Sequence, residues 1–179
     1  TVATQSYNLR KIICDSLVKS SDSPDSEVDF KLHSFGYRGT SSEETAGIGA
    51  AAELLYFKGT DTINGILFAK KYYNSGMCGF SINASEHSTI TSWGKDNEVN
   101  AYRNMISKFG KPGSIFACVS DSYNIFNAIE NLWGTVLKQE VINSGCTLVI
   151  RPDSGNPVEV VSKCLNIMDN KFGSIINSK

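Results

Sequence analysis

The sequence predicts an α/β protein: a parallel sheet with helical crossovers, organised as a partial β/α barrel of about five strand–helix units preceded by one helix. Three observations carry this expectation. Short apolar segments alternate with amphipathic segments of helical period, always strand before helix, which calls for parallel strands joined by crossovers. The strand segments are mostly apolar, as strands covered on both faces are. Residues able to do chemistry recur just after each strand, at Phe35, Asp61, His87, Asp121 and Asp153, in steps of 26, 26, 34 and 32 residues. A complete eight-unit barrel uses roughly 31 residues per unit. Residues 1–27 are expected to be a helix and linker of a preceding region, and residues 28–179 the first part of the barrel domain.

The elements follow in order. Leu9, Ile12, Ile13 and Leu17 place one apolar face on an opening helix, and a Ser/Asp/Pro linker fills residues 21–27. Val28, Phe30 and Leu32 alternate with Asp29, Lys31 and His33, the period of a strand. After the loop FGYRGTSS, Ser41 and Glu44 suggest a capping box for the helix EETAGIGAAAELL. Tyr56–Gly59 reads as a short strand and TDTINGILFAKKYY as a helix capped at Thr60 or Asp61. Phe80–Asn83 is a third strand, followed by a helix carrying Ile90, Trp93, Tyr102, Met105 and Ile106. Ser114–Val119 is the clearest buried strand. Its helix spaces Ile125, Ile129, Leu132, Trp133, Val136 and Leu137 along one side. Cys146–Ile150 is the fifth strand, RPDSGN a turn, and Pro157 stands where a first helical turn accepts proline. Both tryptophans fall on apolar stripes and are expected in the core.

Composition narrows the function classes. The 179 residues carry a net charge of −1 with 41% hydrophobic and 20% charged residues, which argues against a nucleic-acid module needing a concentrated basic face. No apolar run approaches the roughly 18–20 residues of a membrane span. Cys14, Cys78, Cys118, Cys146 and Cys164 form no CxxC pair and read as free thiols, and the N-terminus lacks a signal-peptide pattern, so a cytoplasmic setting is expected. Asn83-Ala84-Ser85 matches a glycosylation sequon and is taken as chance. The chain opens at Thr1 without Met, and five units leave about three of a barrel's eight unaccounted for. It is therefore expected to be a piece of a longer protein.

In α/β folds ligands bind beyond the carboxyl ends of the strands. Arg38 and Arg151 offer forked donors for phosphate oxygens. Asp61, Asp121 and Asp153 could hold Mg²⁺ through water or accept from ribose or amide groups. His87 opens a helix, where an anion is favoured. Structural readings stand beside these: Asp61 and Asp121 at helix N-caps, Arg151 to Asp153 as a turn with a local ion pair, and His87 as a surface or capping residue. His33 reads as structural. Ala46-Gly47-Ile48-Gly49 resembles half a dinucleotide fingerprint but sits inside a helical run, where it suits close helix packing. A metal-assisted phosphate-ester enzyme is a poor fit, because two histidines cannot build a tight ligand cluster.

The loops KLHSFGYRGTSSEETAGIGAAAEL, FKGTDT, EHSTITSWGKD, VSDSYNI and IRPDSGNP resemble those of the nicotinamide phosphoribosyltransferase family, in order, from residue 1 to about residue 172. The resemblance implies a type II phosphoribosyltransferase-like barrel. It also implies transfer of phosphoribosyl from 5-phosphoribosyl pyrophosphate to nicotinamide, giving nicotinamide mononucleotide and pyrophosphate in NAD salvage. It further implies Mg²⁺, stimulation by ATP through a phosphohistidine, and a homodimer in the full-length form, with no nucleic acid and no membrane. By motif, Phe35 would stack on the nicotinamide ring, and Asp61 would accept from its carboxamide and repel the carboxylate of nicotinate. Arg38, His87 and Arg151 would meet pyrophosphate, with His87 the phosphorylated histidine. Arg151, Pro152 and Asp153 would line the substrate. His87, Asp121 and Asp153 would be catalytic, with Asp121 and Asp153 reaching metal, in part through water.

Two positions depart from the family pattern. Ser34 stands where an acidic residue is expected and would tune the loop, and Ala117 where a serine is expected, altering a polar contact near the ring. The isolated chain is expected to be catalytically incomplete. The competing expectation is a non-catalytic truncated homologue acting as a binding or subunit-pairing module.

Overall fold

The computed structural model describes residues 1–175. These divide into two compact units, Thr1–Ser81 and Ile82–Ile175.

In the first unit, helix α1 (Val2–Ser20) is followed by a short helix α2 (Pro24–Glu27) and a 3-10 turn over Val28–Phe30. The period-two strand expected over residues 28–32 is therefore absent. Val28 and Leu32 lie four residues apart, so they can share one side of a helical turn as well as one face of a strand. Both pack into a core with Leu17 and Phe57, while Phe30 is exposed. Asp29 anchors this turn: its carboxylate pairs with Arg10 at 2.9 Å and Lys58 at 2.6 Å, and its carbonyl accepts from Lys58 N–H at 2.7 Å. On α1, Leu9 and Ile13 join that core, but Ile12 faces solvent.

Strand β1 is only His33–Ser34 and pairs in parallel with β2 (Gly59–Thr60), His33 opposite Gly59. Helix α3 (Glu43–Glu53) is capped by Ser42, one residue later than expected, with its side chain accepting from Thr45 N–H at 3.1 Å. Helix α4 (Ile63–Tyr73) begins after Thr62, so neither Thr60 nor Asp61 is its cap. The glycines of the AGIGAA run serve packing. A Cβ on Gly47 would lie 2.4 Å from the Phe68 ring, and one on Gly65 would lie 2.6 Å from Ala50 Cβ, so α3 and α4 approach at these two positions. Phe80 makes a single parallel bridge to Gly59.

The second unit holds a three-stranded parallel sheet in the order β3 (Asn83–Ala84), β4 (Ile115–Val119), β5 (Thr147–Arg151). The helix expected from Ile90 to Ile106 is two helices, α5 (His87–Thr91) and α6 (Glu98–Phe109). Gly94, at φ 79°, turns the chain between them, a conformation that side-chain-bearing residues resist. Trp93 at that break is exposed, contrary to expectation.

Trp133 is buried as expected. It stacks on Tyr102 with ring centroids 4.5 Å apart and donates from Nε1 to Ser120 Oγ at 3.1 Å. Tyr102 OH donates to Glu98 Oε1 at 2.7 Å, so both buried polar tips are satisfied. After the turn α7 (Ile125–Asn127), residues Ala128–Val136 are π-helical, and α8 (Lys138–Ser144) follows. The wider turn departs from the 3.6 period assumed for this stripe. Val136 is exposed while Ile129, Trp133 and Leu137 are buried. Helix α9 (Pro157–Phe172) starts with Pro157 in its first turn, as expected, and Asn156 Oδ1 caps Val158 and Glu159 N–H.

The barrel expectation is overturned. The described strands are all parallel but form two small sheets, of two and three strands, with no barrel closure. Closure requires every strand to be paired along both edges. β1, β2 and β3 have two residues each, and only β4 has a strand on either side. No described helix is long and apolar enough to cross a membrane.

Candidate active site

Each candidate residue lies where a strand has just ended. Phe35 follows β1, Asp61 follows β2, His87 comes three residues after β3, and Asp121 comes two after β4. Arg151 closes β5, with Pro152 and Asp153 behind it.

In the first unit, Phe35, Tyr37, Arg38, Asp61 and Thr62 line a cleft of about 240 Å³. Phe35 opens the 3-10 turn Gly36–Gly39, which carries Tyr37 and Arg38 to the same cleft. Asp61 is tied to β1 through its backbone N–H, which donates to Ser34 O at 2.9 Å. Its carboxylate accepts from Ser81 Oγ, and His33 Nε2 lies 3.2 Å from its other oxygen. Ser34 is buried within β1, its Oγ 3.4 Å from Thr62 Oγ1, so the position read as loop tuning is an interior contact.

In the second unit, His87, Asp121, Arg151 and Asp153 form one hydrogen-bonded cluster. His87 Nε2 lies 2.8 Å from Asp121 Oδ1, and its Nδ1 lies 3.8 Å from Asp153 Oδ2. Asp121 Oδ2 accepts from Asp153 N–H at 2.9 Å and Ser154 Oγ at 2.6 Å. Arg151 Nη2 pairs with Asp153 Oδ2 at 2.9 Å, and Nη1 reaches Ser85 O at 3.5 Å. Burial alone would raise the Asp121 carboxyl. The hydrogen bonds from Ser154, Asp153 N–H and His87 outweigh it, and the group ionises below the usual carboxylate range. An ionised carboxylate only accepts, so His87 Nε2 carries the proton that faces it, and a neutral ring presents a lone pair at Nδ1. Pro152 and Asp153 also line a shallow cavity of about 210 Å³ with Ser154, Gly155 and Pro157.

Two structural readings of the sequence thus fall away. Asp61 and Asp121 are not N-caps: Thr62 and Asn124 hold those places. The Arg151–Asp153 ion pair is present, but within the larger cluster. Sequence reasoning missed Ser154, Ser81 and Ser85. Serines in turns are common, and nothing in their spacing marks the Asp61 and Asp121 carboxylates that Ser81 and Ser154 serve or the backbone that Ser85 ties. Ser85 is the most deeply placed: it is buried, and its Oγ accepts from Val119 N–H at 2.9 Å, tying β3 to β4 beneath the cluster. Ala117 is a buried residue of β4 opposite Ala84.

The donor set does not make a metal site of its own. Among the described residues no group of three or more His, Cys, Asp or Glu is arranged to hold a metal ion. Both oxygens of Asp121 are already engaged.

Residues 30–179, most of the chain, match the model of the "Nicotinate phosphoribosyltransferase (NAPRTase) family". The chain belongs to this family. Among its relatives is a nicotinamide phosphoribosyltransferase of Xanthomonas campestris pv. campestris (strain 8004), 52% identical over 179 residues, covering 100% of this chain and 38% of that protein. Another, from Acinetobacter baylyi (strain ATCC 33305 / BD413 / ADP1), is 30% identical over 168 residues, 90% of this chain and 33% of that one. A third, from Mycoplasma pneumoniae (strain ATCC 29342 / M129 / Subtype 1), is 32% identical over 163 residues, 84% of this chain and 33% of that one. The chain thus spans between 33% and 38% of the length of these relatives.

Proposed function

We propose that this chain carries the pyridine-recognising and phosphate-facing residues of a nicotinamide phosphoribosyltransferase. The reaction would move phosphoribosyl from 5-phosphoribosyl pyrophosphate to the ring nitrogen of nicotinamide, releasing pyrophosphate, in a full-length homodimer. The observation that carries the choice of nicotinamide is the Asp61 carboxylate lining one cleft with the Phe35 ring. A carboxamide NH₂ can donate to that carboxylate while the pyridine stacks on Phe35. The carboxylate of nicotinate would meet a like charge, so selectivity comes from repulsion as well as attraction. The names of the relatives support the same substrate.

The reaction passes through an oxocarbenium-like state at the ribose anomeric carbon, so the protein's task is positioning and neutralising the departing pyrophosphate. In the second unit Arg151 offers a forked cationic donor for its oxygens, and in the first unit Arg38 offers one for a phosphate. Asp121 fixes the His87 ring and its tautomer, leaving Nδ1 to attack the terminal phosphorus of ATP, so that the N–P bond forms as the bond from that phosphorus to the β–γ bridging oxygen breaks and ADP departs. The phosphohistidine formed would raise activity. Mg²⁺ belongs to this reading as a companion of the pyrophosphate, held chiefly by its oxygens and not by the engaged Asp121 carboxylate. A cytoplasmic setting agrees with the five cysteines, all free thiols.

The test is product analysis. Full-length protein given nicotinamide, 5-phosphoribosyl pyrophosphate and Mg²⁺ should form nicotinamide mononucleotide and pyrophosphate in equal amounts. Pyrophosphate release that does not depend on nicotinamide, or no transfer at all, contradicts the proposal.

A further inference from the structure

We propose that His33 is a positioning residue for pyridine recognition, holding the Asp61 carboxylate and the Phe35 ring in their working orientations; this rests on the function proposed above. The sequence gives His33 no such role, since it falls on the polar side of an apparent strand. The structure places it between the two recognition groups.

His33 Nε2 lies 3.2 Å from Asp61 Oδ2, and the His33 ring sits 4.9 Å from the Phe35 ring at an interplanar angle of 37°. Nε2 is sealed from solvent, yet its N–H direction misses the carboxylate oxygen, so the contact is not an aligned hydrogen bond. A buried donor left in this state is costly and is normally satisfied. Such contacts in unliganded sites commonly tighten when substrate arrives. At 3.2 Å the two atoms are already within hydrogen-bond distance, so only direction is lacking, and a carboxamide donating to Asp61 supplies a reason for the carboxylate to turn.

The surroundings are built for this ring. Gly59 faces His33 across the β1–β2 pair, and a Cβ there would stand 2.7 Å from His33 Nδ1. The strand thus gives up a side chain where the imidazole lies. On the other side, Ser81 Oγ holds Asp61 Oδ1. Asp61 is therefore held at one oxygen by Ser81 and faced at the other by His33. Released from one restraint, this 35% exposed carboxylate can turn to solvent. Its acceptor for the amide and its repulsion of an acid would then leave the ring edge together.

The experiment compares full-length wild type, His33→Leu and His33→Gln with nicotinamide and with nicotinate. Loss of one hydrogen bond corresponds to roughly threefold to tenfold in affinity. His33→Leu should raise the nicotinamide KM by about that factor, leave kcat within about twofold, and lower the preference for nicotinamide over nicotinate by a similar factor. His33→Gln keeps an amide donor near the Nε2 position and should restore KM and preference to within about twofold of wild type. A purely structural role lowers the thermal midpoint and leaves the preference unchanged; that result overturns the inference, as does a His33→Gln variant no better than His33→Leu. If His33→Leu does not fold, the Gln variant is compared with His33→Asn, whose shorter amide cannot reach Asp61 and should lose the preference. Wild type inactive on nicotinamide would instead contradict the function itself.

Discussion

The cleft at Phe35 and Asp61 and the cluster at His87 and Asp121 solve the same problem, holding a carboxylate, in opposite ways. Asp121 is 5% exposed, accepts hydrogen bonds at both oxygens, and ionises below the usual range. Asp61 is 35% exposed, with one serine donor and one misaligned histidine. On the proposed function, Asp121 is the group that must be rigid before substrate arrives. A carboxylate that orients a histidine works by fixed geometry, so its hydrogen bonds are complete without ligand. One that recognises an amide must keep an acceptor open, and its last hydrogen bond comes with the ligand.

This comparison breaks most sharply at Asp121. Replacing it with Ala frees the His87 ring, removes the anchor of the 153–154 turn, and should lower kcat in the presence of ATP by about 100-fold or more, in the range seen when a preorganised group is lost. ATP stimulation should disappear with it, measured as the ratio of rates with and without ATP. An Asp121→Ala enzyme still stimulated by ATP would show that the cluster does not orient His87.

Arg151→Lys comes next. It keeps a charge but loses the fork that spans Asp153 and Ser85 O. The kcat/KM for 5-phosphoribosyl pyrophosphate should fall about tenfold, close to 1.4 kcal/mol. The nicotinamide KM should stay near wild type.

The smallest effect is in acid. Because the folded pKa of Asp121 is depressed, its stabilisation is complete above the ordinary value of 3.8 and is lost as pH falls through the lower folded value. Wild type should therefore exceed Asp121→Asn in thermal midpoint at pH 7, by about 1–2 kcal/mol of stability. The gap should close below about pH 4. Thermal unfolding across that range checks it, and a gap independent of pH contradicts the origin assigned to it.

Part of the candidate site was legible in the chain because Asp121 and Arg151 stand at the ends of the apolar segments that form β4 and β5. Val119 is buried and Asp121 stands two residues on, which is what a strand leading to a site looks like. Less of the fold was legible. Val28 and Leu32 satisfy a strand's period and a helical turn alike, and tertiary contact with Phe57 decides between them. The apolar stripe through Trp133 has no local mark of a π-helical stretch, and Gly94 breaks a helix that its neighbours' spacing would continue. Unit spacing suggested a barrel, but closure depends on which edges pair, and residues far apart in the chain set that. His33 and Ser154 were missed for the same reason. Their partners, Asp61 and Asp121, are 28 and 33 residues away.

The most direct measurement is the preference of the full-length protein for nicotinamide over nicotinate, as a ratio of kcat/KM values, in wild type and Asp61→Ala. Wild type should show a strong preference that falls by about tenfold or more in the variant, chiefly through better use of nicotinate. A preference unchanged by Asp61→Ala would contradict it.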